Sequence, residues 1–434
     1  MSLRSAAGLL EFLVASRRAL LAAPPPRPPA TPHLHLVLGN EACDCDSVVS
    51  ALAHAYRLHV ERPPFLPPNA LVAPVVSCTR ASWPLRREAA SLLAEALLGP
   101  REPHGGGEAL ADVLLFVDDA AVVDACAAAA SAAARATVTL TDHNRLDGGG
   151  AALGLSDCDV VEIVDHHEDQ GAHPHVAGAA RLVAYDAAAR RGVGSACTLV
   201  AAALLRGGGV DARLARLLLG VVLLDTCGLA PAAGKATEED HRVAAALGER
   251  CGVGGAEGAA LYGGLSALRF CADFWRALPP AVALAYDYKG FGEFGTAAIC
   301  EPVGDFLMRG GGGGGGGALG GAPLTACAAA AAQRRHSLFL LLSMAPPDGA
   351  RSEGAFLRQL AVVLPPQGAP GARRARHVLA QLRACALLQL REAAAGRTGE
   401  GWEAVLFEQG NAVASRKQVV PLVQEWLKGC GEAL

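Results

Sequence analysis

Four apolar runs in this chain, each long enough for a buried strand, end in an aspartate, and that repetition restricts the fold more than any other feature. Leu34 to Leu38 leads into Gly39-Asn40-Glu41-Ala42-Cys43-Asp44-Cys45-Asp46-Ser47. Thr137 to Thr141 leads into Asp142-His143-Asn144, Val160 to Val164 into Asp165-His166-His167, and Gly220 to Leu224 into Asp225. Near-continuous apolar strands read as parallel, because a parallel sheet is covered on both faces. Open sheets of this kind place ligands at the carboxyl ends of their strands. Two carboxylates in a D-x-D step, two more strand-end aspartates and a His-His pair would then gather at one edge, as a cluster of divalent cations requires.

Each aspartate taken singly has a simpler explanation, since an acid between strand and helix commonly caps the helix amides. Four of them with a His-His pair form a more specific set. Further strands are expected at Ala70–Val76 and Val113–Val117, with helices at Ser47–Leu58, Pro84–Leu98 and Thr237–Arg250. This βα alternation predicts a doubly wound α/β first domain. Asp118 and Asp119 follow a similar apolar run and are read as lying outside the set, either in a loop or supporting the ligands from behind.

These motifs resemble the DHH phosphoesterase superfamily, whose members include manganese-type inorganic pyrophosphatases, exopolyphosphatases and RecJ-type nucleases. The likeness is greatest to its animal prune-type branch. It is carried by Leu38–Asp44, by Val193-Gly194-Ser195-Ala196-Cys197-Thr198-Leu199-Val200, by Gly234-Lys235-Ala236-Thr237 and by Val413-Ala414-Ser415-Arg416-Lys417-Gln418. The resemblance implies two divalent cations bridged by Asp142, one also held by Asn40 and Asp44, the other by Asp46, His166 and Asp225. It makes Asp142, Asp165, His166 and His167 catalytic, with Asp165 orienting His166 and His167 meeting substrate. Lys289, Arg416 and Lys417 correspond to substrate-binding positions.

The chain departs from its relatives at two of these positions. Pyrophosphatases of the superfamily place a histidine where Asn40 stands, and the prune-type branch usually has arginine where His167 stands. An amide oxygen is a hard, neutral donor, so the expected preference is Mg²⁺, with Mn²⁺ or Co²⁺ as substitutes.

Length sets the domain count. A chain of 434 residues exceeds one core of common size, and two domains are expected. Residues 1–32 read as an amphipathic helix and a proline-rich spacer rather than a targeting segment, and 33–251 as the metal-binding domain. Residues 252–258 read as a glycine-rich linker and 259–434 as a smaller α/β domain that binds substrate. That domain should contain strands near Phe294–Ile299, Ser337–Ser343, Arg358–Leu364 and Glu403–Phe407. The glycine run Gly310–Gly317 is expected to be a disordered loop, and Ala318 follows it instead of the histidine of the nuclease Gly-Gly-Gly-His element.

A net charge of −4 argues against a general nucleic-acid binder, and no apolar run is long and charge-free enough for a membrane span. Thirteen cysteines without a C-x-x-C pair fit reduced thiols in the cytoplasm. The resemblance therefore implies a metal-dependent exopolyphosphatase acting on short-chain inorganic polyphosphate. Pyrophosphatase, cyclic-nucleotide phosphodiesterase and a weakly active interaction scaffold are the alternatives, and protein partners are not legible.

Overall fold

A computed structural model describes residues 5–22, 33–99, 110–131, 136–189, 191–208, 210–309, 319–344 and 358–430. Contacts divide the chain into two compact units, Met1–Arg269 and Phe270–Leu434.

The first unit is built on a five-stranded, all-parallel sheet. Its strands are β1 (Leu34–Leu38), β2 (Leu71–Val75), β3 (Thr137–Thr141), β4 (Val160–Asp165) and β5 (Arg181–Val183), in the order β2-β1-β3-β4-β5, with the short antiparallel pair β6 (Tyr185–Asp186) and β7 (Arg191–Gly192) outside it. All five residues of β1 are buried, because helices cover both faces. Val37 packs with α2 (Cys45–Glu61), α3 (Arg87–Leu98) and the later helices. Leu36 and Leu38 pack against the opposite layer, which includes Val122 and Cys126 of α4 (Ala120–Ser131). Alternate residues of one strand thus feed two cores.

The N-terminal segment forms α1 (Ala6–Ala22), and the proline-rich segment that follows lies outside the described residues. Val113–Val117 does not become a strand. It contributes one isolated parallel bridge, Val76 to Phe116, because the chain turns at Val117 and Asp118 after only that pair.

The larger departure is at Gly220–Leu224, which lies inside α7 (Ala212–Asp225) and not in the sheet. Asp211 caps this helix by accepting from the Leu214 amide at 2.7 Å. Leu217 to Leu224 are buried on every side, so the apolar run carries no periodicity by which helix and strand differ. Before it come the short α5 (Gly148–Ala152) and α6 (Ala196–Arg206). After it comes α8 (Glu238–Cys251), whose capping box pairs Thr237 with Asp240. Where a linker is expected at 252–258, the chain turns at Gly252 and enters α9 (Gly255–Arg269), which packs on α3 and α7. The first unit therefore extends to Arg269.

The second unit holds a six-stranded mixed sheet of order β12-β13-β11-β10-β9-β8. Its strands are β8 (Tyr288–Phe291), β9 (Phe294–Ile299), β10 (Leu338–Ser343), β11 (Gln359–Leu364), β12 (Leu390–Arg397) and β13 (Glu403–Gln409). Only β9 and β10 run parallel. Four of the six coincide with the expected strands. The short β8 and the largely exposed β12 lack the apolar run that marks the others. Residues 310–317, expected to be a loop, lie outside the described residues.

Candidate metal centre

Three consecutive neighbours of the parallel sheet end side by side: β1 delivers Asn40, β3 delivers Asp142 and β4 delivers Asp165-His166-His167. Asp142 sits at φ 62°, in the left-handed region, with only 2% exposure. That conformation is uncommon for a side-chain-bearing residue and needs local hydrogen bonds to hold it. Asp142 Oδ2 accepts from Asn40 Nδ2 at 2.6 Å and Ser47 Oγ at 2.8 Å, while Oδ1 lies 3.1 Å from His166 Nε2.

His166 is oriented by the backbone. Its Nδ1 donates to the Val193 carbonyl at 2.6 Å, which fixes the tautomer and leaves the Nε2 lone pair facing Asp142 and Asp46. Gly192 makes this approach feasible, because a side chain there would overlap the His166 carbonyl oxygen. Asp165, expected to orient His166, instead binds the other imidazole. Its Oδ1 accepts from His167 Nδ1 at 2.8 Å and from the His166 amide at 2.7 Å, and its Oδ2 accepts from Asn144 Nδ2 at 2.6 Å. Burial alone would raise this carboxyl, but the His167 charge and hydrogen bond, then His166 and Asn144, hold it far below the usual carboxylate range.

The D-x-D pair divides its work. Asp44 caps α2, accepting from the Ser47 amide at 3.1 Å. Asp46, 2% exposed, lies at the N-terminus of α6: Oδ1 accepts from Ser195 Oγ at 2.7 Å and the Cys197 amide at 2.8 Å, and Oδ2 from the Ala196 amide at 2.7 Å. Helix amides favour a negative charge here. Burial and the neighbouring Asp142 charge nevertheless raise the Asp46 carboxyl to about 6.

Asp225 completes the group from the C-terminal end of α7. Its Oδ2 is buried without a hydrogen-bond partner, and its Oδ1 lies 3.9 Å from Arg269 Nη1. Burial, then the charges of Asp46 and Asp44, push this carboxyl well above the usual range. An orphaned carboxylate oxygen facing other acids is the environment a divalent cation relieves, and the donors present are those such a cation accepts. Two ligands on one six-coordinate ion at about 2.1 Å stand about 3 Å apart. The spacings of His166 Nε2 to Asp142 (3.1 Å) and to Asp46 (3.6 Å) suit that arrangement. One donor each from Asp142, Asp165, His166 and His167 also lies within 4.8 Å of the others.

Sequence reasoning found the carboxylates and missed what holds them. Ser195 and the α6 amides lie in the Val193–Val200 stretch, which carries a resemblance without a stated role. Asp240 is fully buried and fastens that stretch, accepting from the Gly194 amide at 2.8 Å and Thr198 Oγ1 at 2.6 Å. A D-after-T capping box was the legible signal for Asp240. Asp119 is tied to Arg80 at 2.7 Å, a structural ion pair.

In the second unit, Arg416 directs its guanidinium to Asp287, with Nη2 donating to Oδ1 at 2.6 Å and Nη1 to the carbonyl oxygen at 3.0 Å. The sequence reading assigns this fork to phosphate; in the structure a buried carboxylate holds it. Lys289 is half-buried on β8, and Lys417 is exposed in the first turn of α15 (Arg416–Gly429), the last of the helices, which follows α10 (Ala272–Ala277), α11 (Pro280–Ala285), α12 (Val303–Met308), α13 (Gly321–Gln333) and α14 (Ala372–Ala384).

Comparison with known proteins bears out the DHH-type resemblance. The chain is 32% identical over 211 residues to exopolyphosphatase PRUNE1 of Rattus norvegicus, covering 48% of this chain and 39% of that protein. The Bos taurus protein is 33% identical over 210 residues and the Homo sapiens protein 31% over 212, with 48% of this chain covered in both cases. The match thus spans about two fifths of the relatives' length. A crystal structure from Methanococcus jannaschii, assigned to the family II inorganic pyrophosphatases, superposes with a TM-score of 0.53. It is 16% identical and covers 91% of this chain and 100% of its own, a likeness of fold. No protein-family model matches the chain. No helix among the described residues is long and apolar enough to cross a membrane.

Proposed function

We propose that this chain is a divalent-cation-dependent hydrolase of phosphoanhydride bonds, acting on short-chain inorganic polyphosphate. One observation carries the reading: Asp46, Asp142 and His166 Nε2 converge at one edge of a parallel sheet, and the charges of Asp46, Asp44 and Asp142 act on the buried Asp225, whose Oδ2 is orphaned. The sequence similarity to exopolyphosphatases supports the substrate class.

Asp46, Asp142, His166 and Asp225 would hold the cation, and the resemblance adds Asn40 and Asp44 for a second. A cation bound there supplies Lewis-acid activation of water and neutralises charge on phosphate oxygens. The α6 amides hold the Asp46 carboxylate in place within a buried site, and the Val193 carbonyl, by accepting from Nδ1, presents His166 Nε2 as the coordinating nitrogen. His167 is the most open of the cluster, with 26% of its side chain exposed, and its Nδ1 is held by Asp165. With Nδ1 donating, Nε2 is directed away from the carboxylate, where it can share a proton with a substrate oxygen. We assign phosphate binding in the first unit to His167.

The test is phosphate release by the purified chain with Mg²⁺, Mn²⁺ or Co²⁺ from pyrophosphate, tripolyphosphate, long polyphosphate and cyclic AMP. Tripolyphosphate as the preferred substrate supports the reading. Preference for pyrophosphate or cyclic AMP replaces the substrate, and no release from any of them reduces the chain to a scaffold.

A further inference from the structure

We propose that Asn40 is a positioning residue that locks Asp142, not a metal ligand, and that the site as built holds one divalent cation tightly. The inference rests on the metal-dependent reading above and refines its stoichiometry.

Counting lone pairs leads to it. Asn40 Nδ2 stands between two oxygens of the same residue, Asp142 Oδ2 at 2.6 Å and the Asp142 carbonyl at 3.2 Å. Asn40 Oδ1 accepts from the Ala42 amide at 2.9 Å. Rotating the amide by half a turn would set an oxygen against two oxygens and an NH₂ against an N–H, so the orientation is fixed by its surroundings. Asn40 thus faces the carboxylates with donors, and donors repel a cation.

The same contacts use up one side of Asp142. Oδ2 accepts from both Asn40 Nδ2 and Ser47 Oγ, and Ser47 Oγ is itself held by the Asn40 amide at 3.0 Å. Both lone pairs of Oδ2 are engaged, which leaves Oδ1, on the His166 side, as the coordinating oxygen. A carboxylate with one coordinating oxygen does not span two separated cations through both of its oxygens. On the His166 side of Asp142, the ligand atoms Asp142 Oδ1, Asp46 Oδ2, His166 Nε2 and Asp225 Oδ2 suit a single ion. The lock also supports the left-handed backbone at Asp142, whose position sets that oxygen.

Mn²⁺ alone serves as the probe, with binding counted by equilibrium dialysis and elemental analysis and the bound state read by electron paramagnetic resonance. The parent chain should hold one Mn²⁺ tightly, with the six-line spectrum of an isolated ion. Asn40→Ala should keep that single equivalent with affinity about 10-fold weaker, the usual effect of removing a group that orients a ligand. Asn40→Asp, which sets a carboxylate against Asp142, should take up a second Mn²⁺ and show exchange coupling. Two tight, coupled ions in the parent would overturn the proposal, as would loss of a whole equivalent in Asn40→Ala. The parent's stoichiometry decides the matter even if a variant fails to fold. A parent chain that binds no Mn²⁺ overturns both this inference and the metal-dependent function.

Discussion

Asp165 accepts a hydrogen bond from His167 Nδ1 at 2.8 Å, although the histidine that faces Asp142 and Asp46 is its other neighbour, His166. Orientation of the two imidazoles is therefore split between a buried carboxylate and the Val193 carbonyl. Asp165→Asn should accordingly lower turnover about 10- to 100-fold through His167. Cation affinity should stay within about threefold, because His166 keeps its own anchor. Steady-state kinetics beside a Mn²⁺ titration checks this; a parallel collapse of cation affinity refutes the division.

Asp225 permits a prediction of opposite sign in two conditions. In a chelator, Asp225→Asn removes a buried carboxyl whose ionisation is opposed by burial and by the Asp46 and Asp44 charges, so the thermal midpoint should rise by about 2 °C, equivalent to about 1 kcal/mol. With saturating Mn²⁺ the cation-induced rise should shrink, because binding to the native state is weaker. Thermal scans with and without metal measure both. A fall in chelator would show that Asp225 serves Arg269 instead.

Acid stability should depend on Glu162, a buried residue of β4 that accepts from His54 Nε2 at 2.7 Å and Thr139 Oγ1 at 3.0 Å. Burial opposes its charge, yet the His54 charge and hydrogen bond, with Arg57 and Thr139, bring it down from 4.5 to about 2. A carboxyl depressed in the native state binds its proton more readily when unfolded. Its stabilisation is present above pH 4.5 and is lost as pH falls toward 2, on the order of 3 kcal/mol in all. Glu162→Gln should be less stable than the parent at pH 7 and flatter between pH 5 and 3. Denaturant titrations across that range would expose an unchanged slope.

Gly192→Ala tests the backbone that holds His166. The added methyl meets the His166 carbonyl oxygen, so the strand carrying Gly192 must move and take Val193 with it. Cation affinity should drop at least 10-fold while circular dichroism stays close to the parent. Unaltered affinity would mean that the Val193 contact does not matter.

Arg416→Ala separates a structural arginine from a phosphate-binding one. It strands the buried Asp287 carboxylate and should cost about 2 kcal/mol of stability, with KM changed little. A several-fold rise in KM at constant thermal midpoint would give Arg416 back to the substrate.

Three of the four acidic positions were legible where the sequence reading put them, because β1, β3 and β4 are apolar runs of strand length that stop at a polar residue. Asp225 was found for chemistry and misplaced in structure: Leu217 to Leu224 are buried on all sides, and only the Asp211 cap, well upstream of the run, distinguishes a helix. The role of Asn40 was not legible, since an amide can turn either end to a neighbour and the choice is made by Asp142, 102 positions away. The same holds for Val193, which acts through a carbonyl that every residue possesses.

The separations in sequence have a kinetic consequence. Asn40 meets Asp142 across 102 positions and Asp46 meets Cys197 across 151, so no short stretch of chain contains a usable cation site. Parallel pairing over such distances is slow to form, because loop closure precedes any reward. A cation that needs all these partners arrives after the folding barrier is crossed. It should leave the folding rate nearly unchanged and slow unfolding, so that added metal lengthens the native lifetime of the chain without hastening its birth.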